Sequence, residues 1–323
     1  NDTSTNIPTT WFWDFGDGNT STMQNTTNVF SIPGNYSICL KASNAAGFDW
    51  ENKTEYIQVN RLPIIYVNET GWRREGGSYH PNSTPIQAAI DNAILGDSII
   101  VHDGTYHENV VVDKSITIQS QNGSADCIVE AENSNEHVFA ITTDGVEING
   151  LRVQGATGWD YAGIFLQNTE YCYISNVTTT NNNYGIFLSS SSNNTIANNN
   201  ASYNLYSGIF LYSSSNNNNL TGNIASYNDV YGLVLYSSSN NNNLTGNNAS
   251  YNDYGIHIAL SSSNRVSNNI FIKDGLSIGD SFDNSITGNI VNGKPLVYLE
   301  EAIGEHIADA GQVVLVNCDN VTV

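Results

Sequence analysis

The thirteen residues LYSSSNNNNLTGN occur at Leu211–Asn223 and again, letter for letter, at Leu235–Asn247, an offset of 24 residues. The acid, base and binding groups of a pocket differ from one another because their tasks differ, so identical segments at a fixed offset point to a scaffold. The period extends beyond the duplicate. Gly163, Gly185, Gly208, Gly232 and Gly255 each open a GIxL-like strand, at spacings of 22, 23, 24 and 23 residues. A second apolar strand recurs at Ile174, Ile196, Leu220, Leu244, Val266 and Ile286. Three short strands and three turns fill such a period, too few for a propeller blade and too strand-rich for a leucine-rich repeat. A β-solenoid fits, with equivalent residues of successive coils stacked about 4.8 Å apart. Ile164, Ile186, Ile209, Leu233 and Ile256 then form one internal ladder, and Leu166, Leu188, Leu211, Leu235 and Ile258 another. Asparagine suits the bends, because its short side chain tolerates left-handed backbone and stacked amides bond to one another along the axis.

A chain of 323 residues has room for two domains, or one repeat domain with an attachment. Its formal net charge of −21 would repel a nucleic-acid backbone. The acids are uneven: residues 61–150 hold thirteen Asp and Glu, whereas 151–260 hold only Asp160, Glu170, Asp229 and Asp253, so the regular coils are nearly neutral. No run of 18 apolar residues exists, and no charged start precedes an apolar signal core, so no transmembrane segment is expected in this chain. Fifteen N-x-S/T acceptor sequences agree with an extracellular protein; Asn19, Asn35, Asn52, Asn122, Asn176, Asn219 and Asn243 are glycosylation candidates. Cys39, Cys127, Cys172 and Cys318 have no C-x-x-C spacing, which leaves one or two disulfides open and gives no zinc or redox motif.

The front of the chain reads differently. Tyr36, Ile38, Leu40 and Ala42 alternate with Ser37, Cys39 and Lys41, predicting a strand with one buried face and Cys39 on the other. Asp17-Gly18 and Pro33-Gly34 are turn formers. The WDFGDG of Trp13–Gly18, followed by PGNYSICLKASNAAG, resembles the PKD domain, an immunoglobulin-like sandwich. The resemblance covers residues 1–60 and implies earlier strands than this chain contains, so the sandwich is expected to be partial, its unpaired edges open to strand addition. After the linker Arg61-Leu62-Pro63, Ile86, Ala89, Ile90, Ala93 and Ile94 predict an amphipathic helix over 85–95 that caps the body behind it. Thr84 as N-cap, Pro85 at N1 and Gln87 at N3 have capping-box spacing, and Gly96 ends the helix. Residues 61–110 are thus read as linker and capping segment and 111–323 as the repeat domain.

The run PIQAAIDNAILGDSIIVHDGTYHENVVVDKSITIQ, the coils NNYGIFLSSSSNNTIANNNASYN and the segment NGKPLVYLEEAIGEHIADAGQVVLVNCDNVTV resemble the NosD-like parallel β-helix proteins. The resemblance implies a right-handed parallel β-helix, in keeping with the hand of parallel crossovers, and further coils beyond VNCDNVTV. The fold class expected is therefore all-β: a partial PKD sandwich, then a β-helix of 22–24 residues and three strands per coil, both ends reading as open.

Related β-helices include polysaccharide lyases, hydrolases and epimerases, whose chemistry needs paired carboxylates or several converging acids. The acids and histidines here gather at Asp97, His102, Asp103, His107 and Glu108, while the regular coils supply only the equivalently placed Asp229 and Asp253. We assign no catalytic residue on this pattern and expect no cofactor. The alternatives are copper at His102 and His107, which the NosD resemblance implies and imidazole suits, and calcium at Asp229 and Asp253. The stronger surface feature is aromatic. With Ile and Leu of each GIxL strand inward, Phe165, Phe187, Phe210, Val234 and His257 point outward in a line, continued by Tyr212 and Tyr236. A contiguous outward apolar strip marks a contact surface, for another subunit or for a sugar stacking on the rings. The sequence therefore reads as a non-enzymatic extracellular structural protein that self-associates into a homopolymer, such as a surface layer, sheath, filament or adhesive. The PKD and NosD resemblances together imply an archaeal surface protein. A carbohydrate-binding or carbohydrate-active β-helix is the second reading, and a periplasmic copper-handling protein the third.

Overall fold

The computed structural model describes residues 2–30, 34–59 and 64–323; Pro33 and the expected linker at 61–63 lie outside the described residues. The chain divides into two compact units, 1–62 and 63–323. In the first, β1 (Thr10–Asp14), β2 (Thr20–Ser21), β3 (Gly34–Asn44) and β4 (Gly47–Val59) form an antiparallel sheet in the order β2-β1-β3-β4. β3 is the strand expected from alternation, but both its faces are half-buried, Cys39 included, and among the described residues of this unit full burial is confined to Trp13 and Phe15. Asn44 closes the β3–β4 turn by accepting the Ala46 N–H on its Oδ1 at 2.8 Å.

The second unit is a parallel β-solenoid of about eight turns. It has an eight-stranded sheet running from Val110–Val112 to Leu276–Gly279 and a twelve-stranded sheet from Ile64–Asn68 to Ser285–Thr287 that also carries two short antiparallel strands. A five-stranded sheet from Gly104–His107 to Asn200–Ala201 continues through single bridges at Ile224, Asn248 and Ile270. The coils therefore begin at Ile64, ahead of residue 111. The period fixes which side chains turn inward: both internal ladders, and Ile174, Ile196, Leu220, Leu244 and Val266 of the second strand, have no exposed surface. All four cysteines are free thiols, Cys127 and Cys172 buried, and neither of the disulfides that the sequence leaves open is formed.

Each letter of the duplicated stretch has its own task. Leu211 and Leu220 face the core, and Tyr212 faces out. Ser213, Ser214, Asn217 and Gly222 hold the left-handed corners, with φ of 53°, 63°, 57° and 66°. Ser215, Asn218 and Asn223 are buried, and with their counterparts in neighbouring coils they form axial ladders. The Oδ1 of Asn223 accepts the backbone N–H and the Nδ2–H of Asn199 at 3.0 and 3.1 Å. Its own N–H and Nδ2 donate to the Oδ1 of Asn247 at 2.9 and 3.0 Å, and Nδ2 also donates to the Ile196 carbonyl at 2.8 Å. One amide thus joins three coils and satisfies backbone groups that a tight corner leaves unpaired. The bond from backbone N–H to the next Oδ1 also runs through Asn194, Asn218, Asn242 and Asn264, where the Nδ2 of Asn264 is buried without a partner, and through Asn182, Asn204, Asn228 and Asn252. The repeated glycines are steric: a Cβ on Gly208 would stand 2.5 Å from the Ala201 carbonyl oxygen and 2.8 Å from that of Gly232.

The third ladder ends on a carboxylate. Asp274 Oδ2 accepts from the backbone N–H and Nδ2 of Asn252 at 2.9 and 3.0 Å. In the coil before, the Nδ2 of Asn252 donates to the Ala225 carbonyl; Asp274 has no such donor, and its Oδ1 is buried without a partner. Burial raises its pKa to about 6.

The ends of the eight-stranded sheet are finished by glutamines. Helix α1 spans Pro85–Asp91, shorter than the expected 85–95, and buries Ile86, Ala88, Ala89 and Ile90. The chain leaves the helix after Asn92: Asp97 Oδ2 takes the Ile94 N–H at 2.9 Å, and Ile94, expected on the apolar face, is 59% exposed. The capping box does not form, because Thr84 makes no cap bond and the carboxylate of Glu108 accepts the Ile86 and Gln87 N–H groups at 3.0 and 2.9 Å. Gln87 instead lies on the edge strand Val110–Val112: its Oε1 accepts the Val111 N–H at 2.7 Å and its Nε2 donates to the Val111 carbonyl at 3.3 Å. At the opposite edge, Gln312 does the same to Leu276, at 2.9 and 2.7 Å. Gln312 arrives there because Asn292 and Gly293, with φ of 50° and 81°, turn the chain back as a hairpin, so Lys294–Glu300 runs antiparallel to Ile290–Val291. Gln312–Val316 then pairs with it in parallel.

Replacing Asn223 by Leu keeps the volume but leaves the buried backbone N–H of Asn199 without its acceptor and takes one donor each from the Ile196 carbonyl and the Asn247 Oδ1. At about 1–3 kcal/mol per buried orphan, stability should fall by about that much, read from the urea midpoint; an unchanged midpoint would mean that the ladder contributes nothing. Asp274 binds its proton more tightly folded than unfolded, so the stability it contributes is full below its unfolded pKa of 3.8 and is lost as pH rises through about 6. Asp274→Asn should therefore raise Tm at pH 7.5 and flatten the decline of Tm between those two pH values. A variant with the wild-type pH profile would remove Asp274 as its source.

Candidate contact face of the solenoid

The outer surface of the eight-stranded sheet is built from the third residue of each GIxL strand. Strand register pairs Phe165 with Phe187, Phe187 with Phe210, Phe210 with Val234 and Val234 with His257, the expected line. Ring centroids of Phe165 and Phe187 are 5.1 Å apart and those of Phe187 and Phe210 5.2 Å. Tyr212 and Tyr236 stack at 5.9 Å on one flank and are 38% and 39% exposed. The line is half-buried, and Val234 fully so, because a second column, not expected from the sequence, covers its other flank. Tyr184, Tyr206, Tyr231 and Tyr254 follow one another at 5.4, 5.5 and 5.3 Å. Its signal was present: a tyrosine stands one or two residues before Gly185, Gly208, Gly232 and Gly255. Trp159, 73% exposed, adds its ring 6.1 Å from Tyr206.

The ionisable groups on this face are held neutral or tied down. His137 stacks on Phe165 at 4.1 Å and its Nδ1 accepts the Ala162 N–H at 3.0 Å; burial lowers its pKa to about 4. His257 is shifted down for the same reason. Asp160 accepts the Tyr184 hydroxyl at 3.3 Å, and the Tyr184 phenol is raised by burial and by that carboxylate.

The acidic cluster expected near the start of the solenoid does not assemble into a site. Asp97 is buried against Arg74 at 2.9 Å, and the Arg74 guanidinium also donates to the Asn92 carbonyl. Glu108 is the helix cap, with burial raising its pKa. Asp103 takes the Nδ2 of Asn122 at 2.8 Å. The His102 ring packs edge-on to Tyr66 at 5.9 Å, while His107 Nδ1 lies 3.7 Å from Glu130. Asp229 and Asp253 are exposed beside a corner stack of Tyr203, Tyr227 and Tyr251, whose rings lie 5.1 and 4.7 Å apart. No three His, Cys, Asp or Glu side chains among the described residues converge on a point. Of the glycosylation candidates, Asn19, Asn35, Asn52, Asn122 and Asn176 are exposed. Asn219 and Asn243 are half-buried on adjacent rungs of the twelve-stranded sheet, the Nδ2 of Asn243 donating to Asn219 Oδ1 at 2.8 Å. No helix among the described residues is long and apolar enough to cross a membrane.

Comparison with known proteins follows this division. The PKD domain model matches residues 1–59. A cell surface glycoprotein of Methanothermus fervidus is 39% identical over 100 residues, which is 30% of this chain and 16% of that protein. Among solved structures, the pectate lyase Pel9A has a TM-score of 0.56 at 17% identity, over 79% of this chain and 78% of its own. The A-module of the Azotobacter vinelandii mannuronan C-5 epimerase AlgE6 has 0.53 at 15%, over 73% and 84%, and ORF18 of Geobacillus virus E2 has 0.56 at 15%, over 88% and 66%. At these identities the likeness is one of fold. The model of the family described as periplasmic copper-binding protein (NosD) matches residues 90–289, ending just before the Asn292-Gly293 hairpin, and the chain belongs to that family.

Proposed function

We propose that this chain is a non-enzymatic structural protein of the extracellular cell surface, a building block of a layer, sheath or filament. The observation that carries the reading is the use of one side chain for one task in coil after coil: Asn199, Asn223, Asn247 and Asn269 bond to each other's successors in the same way. Such repetition serves persistence of shape, where catalysis needs residues that differ. The surface location is supported by the cell surface glycoprotein relative and by the exposed acceptor asparagines. Asp97 and Glu108, the acids best placed by sequence for chemistry, hold the helix and its following turn. Copper handling finds no support in the donor set, since His102 and His107 lack a converging third ligand.

A second reading, glycan binding, is favoured by one observation, the solvent-exposed ring of Trp159 beside the tyrosine column. The pectate lyase and the mannuronan epimerase have the same fold and lend it some weight.

Electron microscopy and light scattering on protein recovered from its native envelope should show ordered assemblies of this chain; uniform single-chain particles at every concentration would end the structural reading. Asp97→Ala should unfold the protein at lower denaturant, by about 1–3 kcal/mol, because the Ile94 N–H loses its acceptor and the half-buried Arg74 its carboxylate. An Asp97→Ala protein of full stability that had lost turnover on a polysaccharide would instead mark an enzyme.

A further inference from the structure

We propose that copies of this chain associate side by side, through the aromatic face of the eight-stranded sheet, and not end to end through the edges of that sheet. The inference rests on the structural reading above and says which surface carries it. Three observations lead to a second copy as the occupant.

Charge comes first. A chain of formal net charge −21 repels its own copies unless they meet where charge is absent. The aromatic face is poor in charge: residues 137–260 contain six acids and Arg152, and of those only Asp160 hydrogen-bonds to the tyrosine column. His137 and His257 are both shifted toward the neutral form by burial.

The second observation is the fate of the sheet edges. A parallel sheet that stops presents N–H and C=O groups to any strand that approaches, and end-to-end growth of a solenoid would use them. Here the outward-pointing pair of Val111 is bonded by Gln87 and that of Leu276 by Gln312. Each carboxamide accepts from the N–H and donates to the carbonyl, as the next strand would. At Val111 and Leu276 the edge is thus already occupied by the chain itself.

Area is the third. From His137 to His257 the face crosses six coils, about 24 Å at 4.8 Å per strand, and its six-residue strands are about 20 Å long. That is roughly 500 Å² per copy, or about 1,000 Å² for a pair, the lower limit for a specific interface. A single contact of this size is weak, and it suits a unit that is held at high density with many neighbours.

The test is sedimentation equilibrium of the full chain over a concentration series at low and high salt. Wild type should form dimers whose affinity rises with salt, because screening removes the repulsion and leaves apolar contact. Phe210→Lys should weaken the dimer at least about tenfold, since it buries an unpaired charge. As Phe210 is half-buried, Tyr236→Lys is made in parallel at an exposed site, and thermal unfolding confirms that both variants fold. Thr221→Lys, on the twelve-stranded sheet, should leave the dimer unchanged. Negative-stain images of the dimer should show solenoids alongside each other. Dimers that persist in both face variants, weaken with salt or lie end to end overturn the inference while leaving the structural role standing. A wild type that stays monomeric at all concentrations overturns both, and the same face would then be tested against neutral oligosaccharides.

Discussion

The hydrogen bond from one asparagine amide to the next along the solenoid axis is the interaction on which the rest of this chain depends. A coil of 22–24 residues makes several sharp corners, and each corner turns backbone N–H and C=O groups inward where no water reaches them. An inward asparagine answers both needs at once, accepting from the coil before and donating to the coil after and to a carbonyl two coils away from that acceptor. With the corners satisfied, the sides can be short strands of pure Ile, Leu and Val. The core can then be stacked methyl groups instead of a three-dimensional jigsaw. Because each coil offers its neighbour the same donors and acceptors, a coil can be gained or lost without leaving an orphan. The identical segments at 211–223 and 235–247 are what such tolerance permits.

Much of this was legible because period converts directly into direction. Once Gly163, Gly185, Gly208, Gly232 and Gly255 set the phase, Ile164 had to face in and Phe165 out, and they do. What stayed hidden depended on residues a whole coil apart. Thr84, Pro85 and Gln87 have the local pattern of a capping box, yet the cap comes from Glu108, and Gln87 is drawn off to the edge of a strand. Nothing within a few residues of the helix announces either partner. Ile94 continued the apolar period past the point where Asp97 holds the backbone out of the helix. The candidate acids and histidines at 97–108 were close in sequence but were parted by a strand whose successive side chains point to opposite faces.

The aromatic face was half visible. The phenylalanine line follows from the register, while the flanking tyrosines, one or two residues before each glycine, fall outside the GIxL pattern. Their presence changes what the face is: a line of rings becomes a plate two columns wide, with its members covering one another. The tyrosines at the corner, Tyr203, Tyr227 and Tyr251, are costlier in backbone terms, with φ of 62°, 58° and 61° where Asn or Gly would rest without strain. Stacking of their rings offsets that cost.

The axial direction of the ladders also has a mechanical meaning. The strand-to-strand and amide-to-amide bonds of the solenoid run along its axis, so a pull on that axis puts one force on every interface between coils in series, and the weakest yields first. The interface that yields releases its coil as free chain, about 80 Å for 24 residues, and the next coil then takes the load with the same set of bonds. A body built this way lengthens coil by coil, and each released coil can rewind onto a template that the neighbouring coil still holds in register.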